Sequence, residues 1–164
     1  MKYCIECGTQ LIEKECNGEG KIPYCNHCNQ FRFPQFNVAV SMEVLNPQKD
    51  KVLLIQQYGK QNNILVAGYV NKGENSEAAV IREVKEEIGL DVIEYQFMKS
   101  EFFEPSNTLM LNYMCVVEKE DLSGVTEEVD KAQWYSVEEA PEYILHNSLA
   151  ERFLLYFIEN RKKK

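Results

Sequence analysis

Three glutamates, Glu83, Glu86 and Glu87, follow an arginine, Arg82, at spacings that suit one side of a helix. At roughly 100° per residue the three carboxylates fall within an arc of about 100°. Val80, Val84 and Ile88 fall on a separate arc suited to a core. Carboxylates three and four residues apart repel one another, so clustering them destabilises a helix unless a cation sits among them. Oxygen-rich clusters of this kind suit Mg²⁺ or Mn²⁺, which keep some waters and take further ligands from substrate phosphates. Ala79, one turn before Glu83, is small enough to leave space beside the carboxylates. A solvated acidic helix face is the alternative reading.

The cysteines carry a second chemistry. Of six, four form two pairs, Cys4-x2-Cys7 and Cys25-x2-Cys28, with 17 residues between the pairs. That spacing matches a site in which two tight turns meet at one tetrahedral Zn²⁺. Gly8 follows the first pair, where such a turn favours positive φ. Two disulfides, or free structural thiols, are the alternative. The chain opens without an apolar leader, so a cytoplasmic setting and zinc are the expectation. A site filled by four thiolates has no open position and serves the fold rather than a reaction. Cys16 and Cys115 lie outside the pattern as ordinary thiols.

The elements that would position these groups divide the chain at residues 1–34 and 35–164. The first part is too short to build a core and leans on its metal. The second reads as mixed α/β. Strands are expected at 38–44, 52–55 and 64–66, and a helix over about 77–88, capped by Asn75 or Ser76 and ended by Gly89. Long β-rich stretches follow at 92–104 and 108–118, then a short strand around Trp134. A last helix over 148–159 has Leu149, Phe153, Leu154 and Phe157 as its apolar stripe.

At 164 residues, with 45% apolar and 27% charged residues, the composition is that of a soluble globular protein. No apolar run approaches membrane-spanning length. A net charge of -8 argues against a protein whose main work is gripping a nucleic-acid backbone. Lys162, Lys163 and Lys164 read as a solvated end.

Residues 68–90 resemble the Nudix box, G-x5-E-x7-R-E-U-x-E-E-x-G-U with U apolar, and every specified position is filled. The resemblance implies an α/β/α sandwich with a mixed sheet presenting the box as strand, loop and helix, here preceded by a small zinc ribbon. It makes Glu83, Glu86 and Glu87 divalent-cation ligands and Arg82 the residue that orients them. Glu74 becomes a brace of the loop, and the Ala67 or Gly68 carbonyl a further ligand. The implied reaction is attack of an activated water on phosphorus, with Glu86 or Glu87 taking the proton.

A four-cysteine ribbon leading into such a domain resembles the NADH pyrophosphatases, which split NAD(H) into nicotinamide mononucleotide and AMP. The Val66-Ala67-Gly68-Tyr69-Val70 loop, the aromatic-Pro segment 31–35 and the small-residue stretch 147–150 agree with that family. Glu128, six residues before Trp134, matches a further metal-ligand position. Residues 100–108 depart from the family's S-Q-P-W-P-F-P-x-S segment, keeping Ser100, Phe103 and Thr108 but adding Glu101 and Glu104. Asn71 replaces an acidic residue common in the loop. Phe33, Phe102 and Phe103 are candidates to stack on a base, and Glu101 and Thr108 to hydrogen-bond it.

The expected partner is a nucleotide, with no nucleic acid and no membrane, and the resemblance suggests a homodimer. The alternatives are an ADP-ribose or dinucleoside-polyphosphate hydrolase, or removal of an NAD cap from RNA. From another class comes an inactive zinc-ribbon module that binds nucleic acid or regulates.

Overall fold

The computed structural model describes residues 1–161 and separates into two units, Met1–Phe36 and the chain from Asn37 on. The lysine tail at 162–164 lies outside the described residues. In the first unit, β1 (Ile12–Cys16), β2 (Gly20–Cys25) and β3 (Gln30–Phe31) form an antiparallel sheet in the order β1-β2-β3.

The second unit is built on a mixed sheet. Its strands are β4 (Asn37–Leu45), β5 (Lys51–Gln56), β6 (Val66–Tyr69), β7 (Val92–Phe103), β8 (Thr108–Val117) and β9 (Lys131–Ser136). The order is β7-β8-β4-β5-β9, with β6 pairing β4, and only the β4–β8 pair is parallel. Strand β4 is buried along almost its whole length because it is central and covered on both sides. Alternation sends Val40, Met42 and Val44 toward helix α1 (Ser76–Ile88), where they pack with Val80, Val84 and Ile88. Leu45, Leu54 and Val116 meet α2 (Ala140–Tyr143) and α3 (Leu149–Arg161) on the opposite face. The layers are therefore helix, sheet, helix.

The two main helices follow their apolar stripes. Asn75 caps α1, its side chain accepting from the Ala78 N–H, and Gly89 closes it at φ 77°. Phe153, Leu154 and Phe157 of α3 are buried, and Leu149 packs beside them. One expected boundary moves. The strand expected at 64–66 begins only at Val66, because Ile64 makes an isolated bridge to Ile55. Ala79, one turn before Glu83, is fully buried against the core. The four-residue α2 and the three short ribbon strands have too few residues to show a period. No described helix is long and apolar enough to cross a membrane.

One charged residue lies inside this frame. Glu43, on the α3 side of β4, is wholly buried, and burial pushes its carboxyl up to about 8. Asn112 donates to both of its oxygens, at 2.9 and 3.1 Å, without offsetting the desolvation. The folded state thus prefers neutral Glu43. Its contribution to stability is complete below the ordinary glutamate range near pH 4.5 and is lost as pH rises through about 8. Urea unfolding of the wild type and Glu43→Gln at pH 5 and pH 8 checks this. The wild type should lose stability relative to the variant over that interval, by up to ~1.4 kcal/mol per pH unit. A constant difference between the two proteins would exclude the effect.

Candidate functional site

Arg82 organises the start of the site. Its Nε and Nη2 grip the two oxygens of Glu74 at 2.8 and 2.9 Å. Nη1 reaches Glu83 at 2.7 Å and Glu86 at 2.8 Å, and Nη2 also donates to the Tyr69 carbonyl at 2.9 Å. One guanidinium therefore ties helix α1 to the β6–α1 loop at both ends of that loop. Arg82's hydrogen bonds hold the Glu74 carboxyl down at about 2, and the Asn71 N–H adds to the same effect. Glu74 is thereby a permanent anion that locks the guanidinium in place.

Glu83 and Glu87 turn toward a cleft of about 410 Å³, whose walls include Ala67, Gly68, Thr108 and Glu128. A β-carbon on Gly68 would fall on the Glu83 carboxylate. Gly68 therefore leaves the room that the Glu83 carboxylate occupies. Glu87 is only 5% exposed. Its Oε1 accepts from Gln57 Nε2 at 2.8 Å, while Oε2 is buried without a hydrogen-bond partner. Burial, against the Gln57 hydrogen bond and with the added charges of Glu83, Glu128 and Glu86, pushes its carboxyl up to about 7. A buried, orphaned carboxylate oxygen among other carboxylates fits a divalent cation, which would remove both penalties. Glu86 differs: it is 57% exposed at its side chain and turns to Arg82.

The expected substrate contacts scatter. Thr108 borders the cleft, whereas among the described residues Glu101, Phe102 and Phe103 do not line it. Glu101 is held by Arg152, at 3.0 Å from Nε, and by Lys99 at 3.4 Å, which keep its carboxyl below the usual range. Phe33 lies exposed in the N-terminal unit. The cleft also has walls that sequence reasoning passed over: Tyr58, Tyr69 and Ser106. Tyr58 is 83% exposed and left-handed at φ 59°. Nothing in its residue type announces that conformation, although the adjacent Gly59 marks a turn.

In the N-terminal unit the ligand atoms of Cys4, Cys7, Cys25 and Cys28 all lie within 4.8 Å of one another. The Cys4–Cys28 and Cys7–Cys25 sulfur pairs are 3.9 and 3.5 Å apart. A tetrahedron of thiolates at 2.3 Å from zinc has edges of about 3.8 Å, whereas a disulfide needs about 2.05 Å. The arrangement fits a metal and not a pair of disulfides. Arg32 donates to Cys4 Sγ at 3.2 Å and pairs with Glu6 at 2.6 Å, offsetting thiolate charge. Among the described residues no three of Glu83, Glu86, Glu87 and Glu128 bring carboxylate oxygens within 4.8 Å of one another.

Residues 35–157 match the family model of the NUDIX domain. The chain is 26% identical over 162 residues to the NAD-capped RNA hydrolase NudC of Pseudomonas aeruginosa (strain LESB58), covering 98% of this chain and 56% of that protein. It is 28% identical over 155 residues to the protein of the same name from Shigella dysenteriae serotype 1, covering 93% of this chain and 58% of that one. The chain thus spans little more than half the length of these relatives. A solved NUDIX hydrolase from Nitrosomonas europaea superposes with a TM-score of 0.72 at 19% identity, covering 99% of this chain and 93% of that one. The NUDIX domain of Shewanella oneidensis NrtR, solved in complex with ADP ribose, gives a TM-score of 0.63 at 14% identity, covering 85% and 93%.

The contact at Gly68 predicts that Gly68→Ala swings the Glu83 carboxylate aside. The side chain is flexible, so the melting temperature should hold. Activity on a cleavable nucleotide should fall about 100-fold, as expected for ångström-scale misplacement in an active site. Wild-type turnover in the variant would show that Glu83's position does not matter. For the cysteines, Cys25→Ser should abolish bound zinc, read by plasma emission spectroscopy, and lower the melting temperature. A wild-type protein that carries no metal and melts with the variant would remove the zinc reading.

Proposed function

The chain belongs to the NUDIX domain family, and from that premise we propose that it hydrolyses the diphosphate linkage of a nucleotide. The substrate we favour is NAD(H), giving nicotinamide mononucleotide and AMP. The observation that carries the reading is Glu87 Oε2, a buried carboxylate oxygen without a partner at a cleft walled by Glu83, Glu128 and Gly68. A divalent cation accounts for that atom, because it supplies the positive partner that a buried carboxylate oxygen lacks.

The residues divide the work. Glu83, Glu86, Glu87 and Glu128, with the Ala67 or Gly68 carbonyl, would hold Mg²⁺ or Mn²⁺. When bound, such ions lower the pKa of water and offset charge on phosphoryl oxygens. The attacking water forms a bond to one phosphorus, the bridging P–O bond breaks, and the water's proton passes to Glu86 or Glu87. Arg82 keeps its hold on Glu74 and the Tyr69 carbonyl, so the loop does not yield as the substrate enters. Thr108, fully buried at the cleft wall, donates its hydroxyl to the Ser106 carbonyl at 2.9 Å and accepts from the Ser106 hydroxyl at 2.9 Å, so it braces the wall on which a nucleotide would rest.

The NAD-capped RNA hydrolases among the relatives support an NAD-type substrate, and the ADP ribose held by the Shewanella domain favours ADP-ribose as the second reading. Both share an adenosine diphosphate. The added Glu101 does not exclude an anionic dinucleotide, because Arg152 and Lys99 already neutralise it. We place the protein in the cytoplasm, with Zn²⁺ on the four cysteines and a homodimer as its assembly.

Purified protein with Mn²⁺ or Mg²⁺, offered NADH, NAD⁺, ADP-ribose, diadenosine polyphosphates and nucleoside triphosphates together, tests the proposal by mass spectrometry of products. AMP with nicotinamide mononucleotide should lead, and Glu87→Gln should remove turnover while keeping the fold. Preference for ADP-ribose would replace the substrate and leave the chemistry. A folded, cation-binding protein that cleaves none of them would make the chain a binding module.

A further inference from the structure

Strand β5 alternates, and Leu53 and Ile55 face the core beneath α1. The next residue of that parity is Gln57, just beyond the strand and only 6% exposed. A buried amide destabilises the fold unless it is hydrogen-bonded. Its Nε2 donates to Glu87 Oε1 at 2.8 Å, across 30 residues of chain.

We propose that Gln57 is a positioning residue for the cation site: by occupying Glu87 Oε1 it leaves Oε2 as the one oxygen that Glu87 presents to a divalent ion. The proposal rests on the cation-dependent reading of the cleft given above.

The backbone around Gln57 is fixed in a way that serves this. Lys60 N–H donates to the Gln57 carbonyl at 3.1 Å, and Gly59 N–H donates to Asp130 Oδ2 at 2.7 Å. Asp130 N–H returns to the Gln56 carbonyl at 2.8 Å, and Thr126 N–H donates to the Glu87 carbonyl at 3.1 Å. The segment that carries Glu128 is thus tied both to the Gln56–Gly59 turn and to the end of α1. Tyr58 sits left-handed between two pinned neighbours, a conformation that costs about 1 kcal/mol or more for a residue with a side chain. The turn buries Gln57 and exposes Tyr58 at the rim of the cleft.

The residue type matters as much as the place. A lysine or arginine here would pair with Glu87 and compete with a cation for its charge. A carboxylate would repel it. An amide fixes the orientation of Glu87 and leaves its negative charge available. With Oε1 engaged, Glu87 is a one-oxygen ligand, which suits the strict octahedral geometry of Mg²⁺ better than a chelating carboxylate does. Glu87 Oε2, unpartnered and buried, is the atom such an arrangement would leave.

Mn²⁺ binding to the whole protein, followed by the electron paramagnetic resonance signal of the free ion, tests the role without reference to turnover. Gln57→Met keeps the length and apolar bulk and removes the donor; Gln57→Asn keeps the amide but withdraws it from Glu87. Either folded variant should bind Mn²⁺ about 10- to 100-fold more weakly, the usual cost of losing a partner that orients a metal ligand. Gln57→Lys should weaken binding at least as much. The metal-free melting curves report folding separately. Unchanged Mn²⁺ affinity in a folded Met or Asn variant overturns the proposal, even if the wild type hydrolyses NADH. Weakened affinity in a protein that cleaves no diphosphate supports the positioning role and removes the hydrolase reading instead.

Discussion

A guanidinium with its donors shared among three carboxylates and a backbone carbonyl is the interaction on which the site depends. Without Arg82, the charges of Glu74, Glu83 and Glu86 would drive the loop and the first turns of α1 apart. With it, the loop is held at Tyr69 and at Glu74, and the helix at Glu83 and Glu86. A lysine could supply the charge but not the planar fork that binds both oxygens of Glu74 while reaching two other partners. The same pinning holds Gly68 against Glu83, where a side chain would not fit.

The two units handle clustered anions by different physics. The four cysteines converge until their sulfurs are spaced as a tetrahedral metal requires, and Arg32 adds a hydrogen bond to one of them. A soft thiolate set of this kind closes on its ion. Among the described residues no three carboxylates of the second unit converge as the sulfurs do, and one of them, Glu86, is largely in solvent. Hard-cation sites that share ligands with a substrate need that looseness. The contrast explains why one cluster is legible from its spacing alone, while the other needs the loop and the β5 turn before its shape is defined.

Much of this was written in the sequence, because local patterns govern it. The α1 cap, its closing glycine, the core arc of Val80, Val84 and Ile88, and the alternation of β4 follow from periods of 3.6 and 2. What escaped reading depends on contacts between distant segments. The space that the Glu83 carboxylate occupies is left by Gly68 on β6, and helix periodicity alone does not bring the two together. Glu101 was counted as a substrate contact because its neighbours resembled a family segment. Its partner Arg152 lies 51 residues away on another element, and no local pattern announces that pairing. Gln57 escaped for the same reason, although continuing the alternation of β5 by one step points to it.

The net charge of -8 sets a condition that the site's own inventory sharpens. Glu83, Glu87 and Glu128 line the cleft, and Arg82 beside it is already saturated by hydrogen bonds to Glu74, Glu83, Glu86 and the Tyr69 carbonyl. A phosphate approaching this surface meets repulsion, whatever its base. Burial raises the Glu87 carboxyl first, and the charges of Glu83, Glu128 and Glu86 add to the rise. On the proposed reading, divalent ions must therefore bind before or with the substrate, and they act first as charge reversal and only then in catalysis. Specificity follows from the same ordering. The acidic centre is common to any phosphoanhydride, so discrimination between NAD(H) and ADP-ribose falls to neutral groups at the cleft wall, such as Tyr58, Tyr69 and Ser106. Tyr58 and Ser106 lie outside the box and Tyr69 fills one of its unspecified positions, so the reaction was easier to infer from this sequence than the substrate.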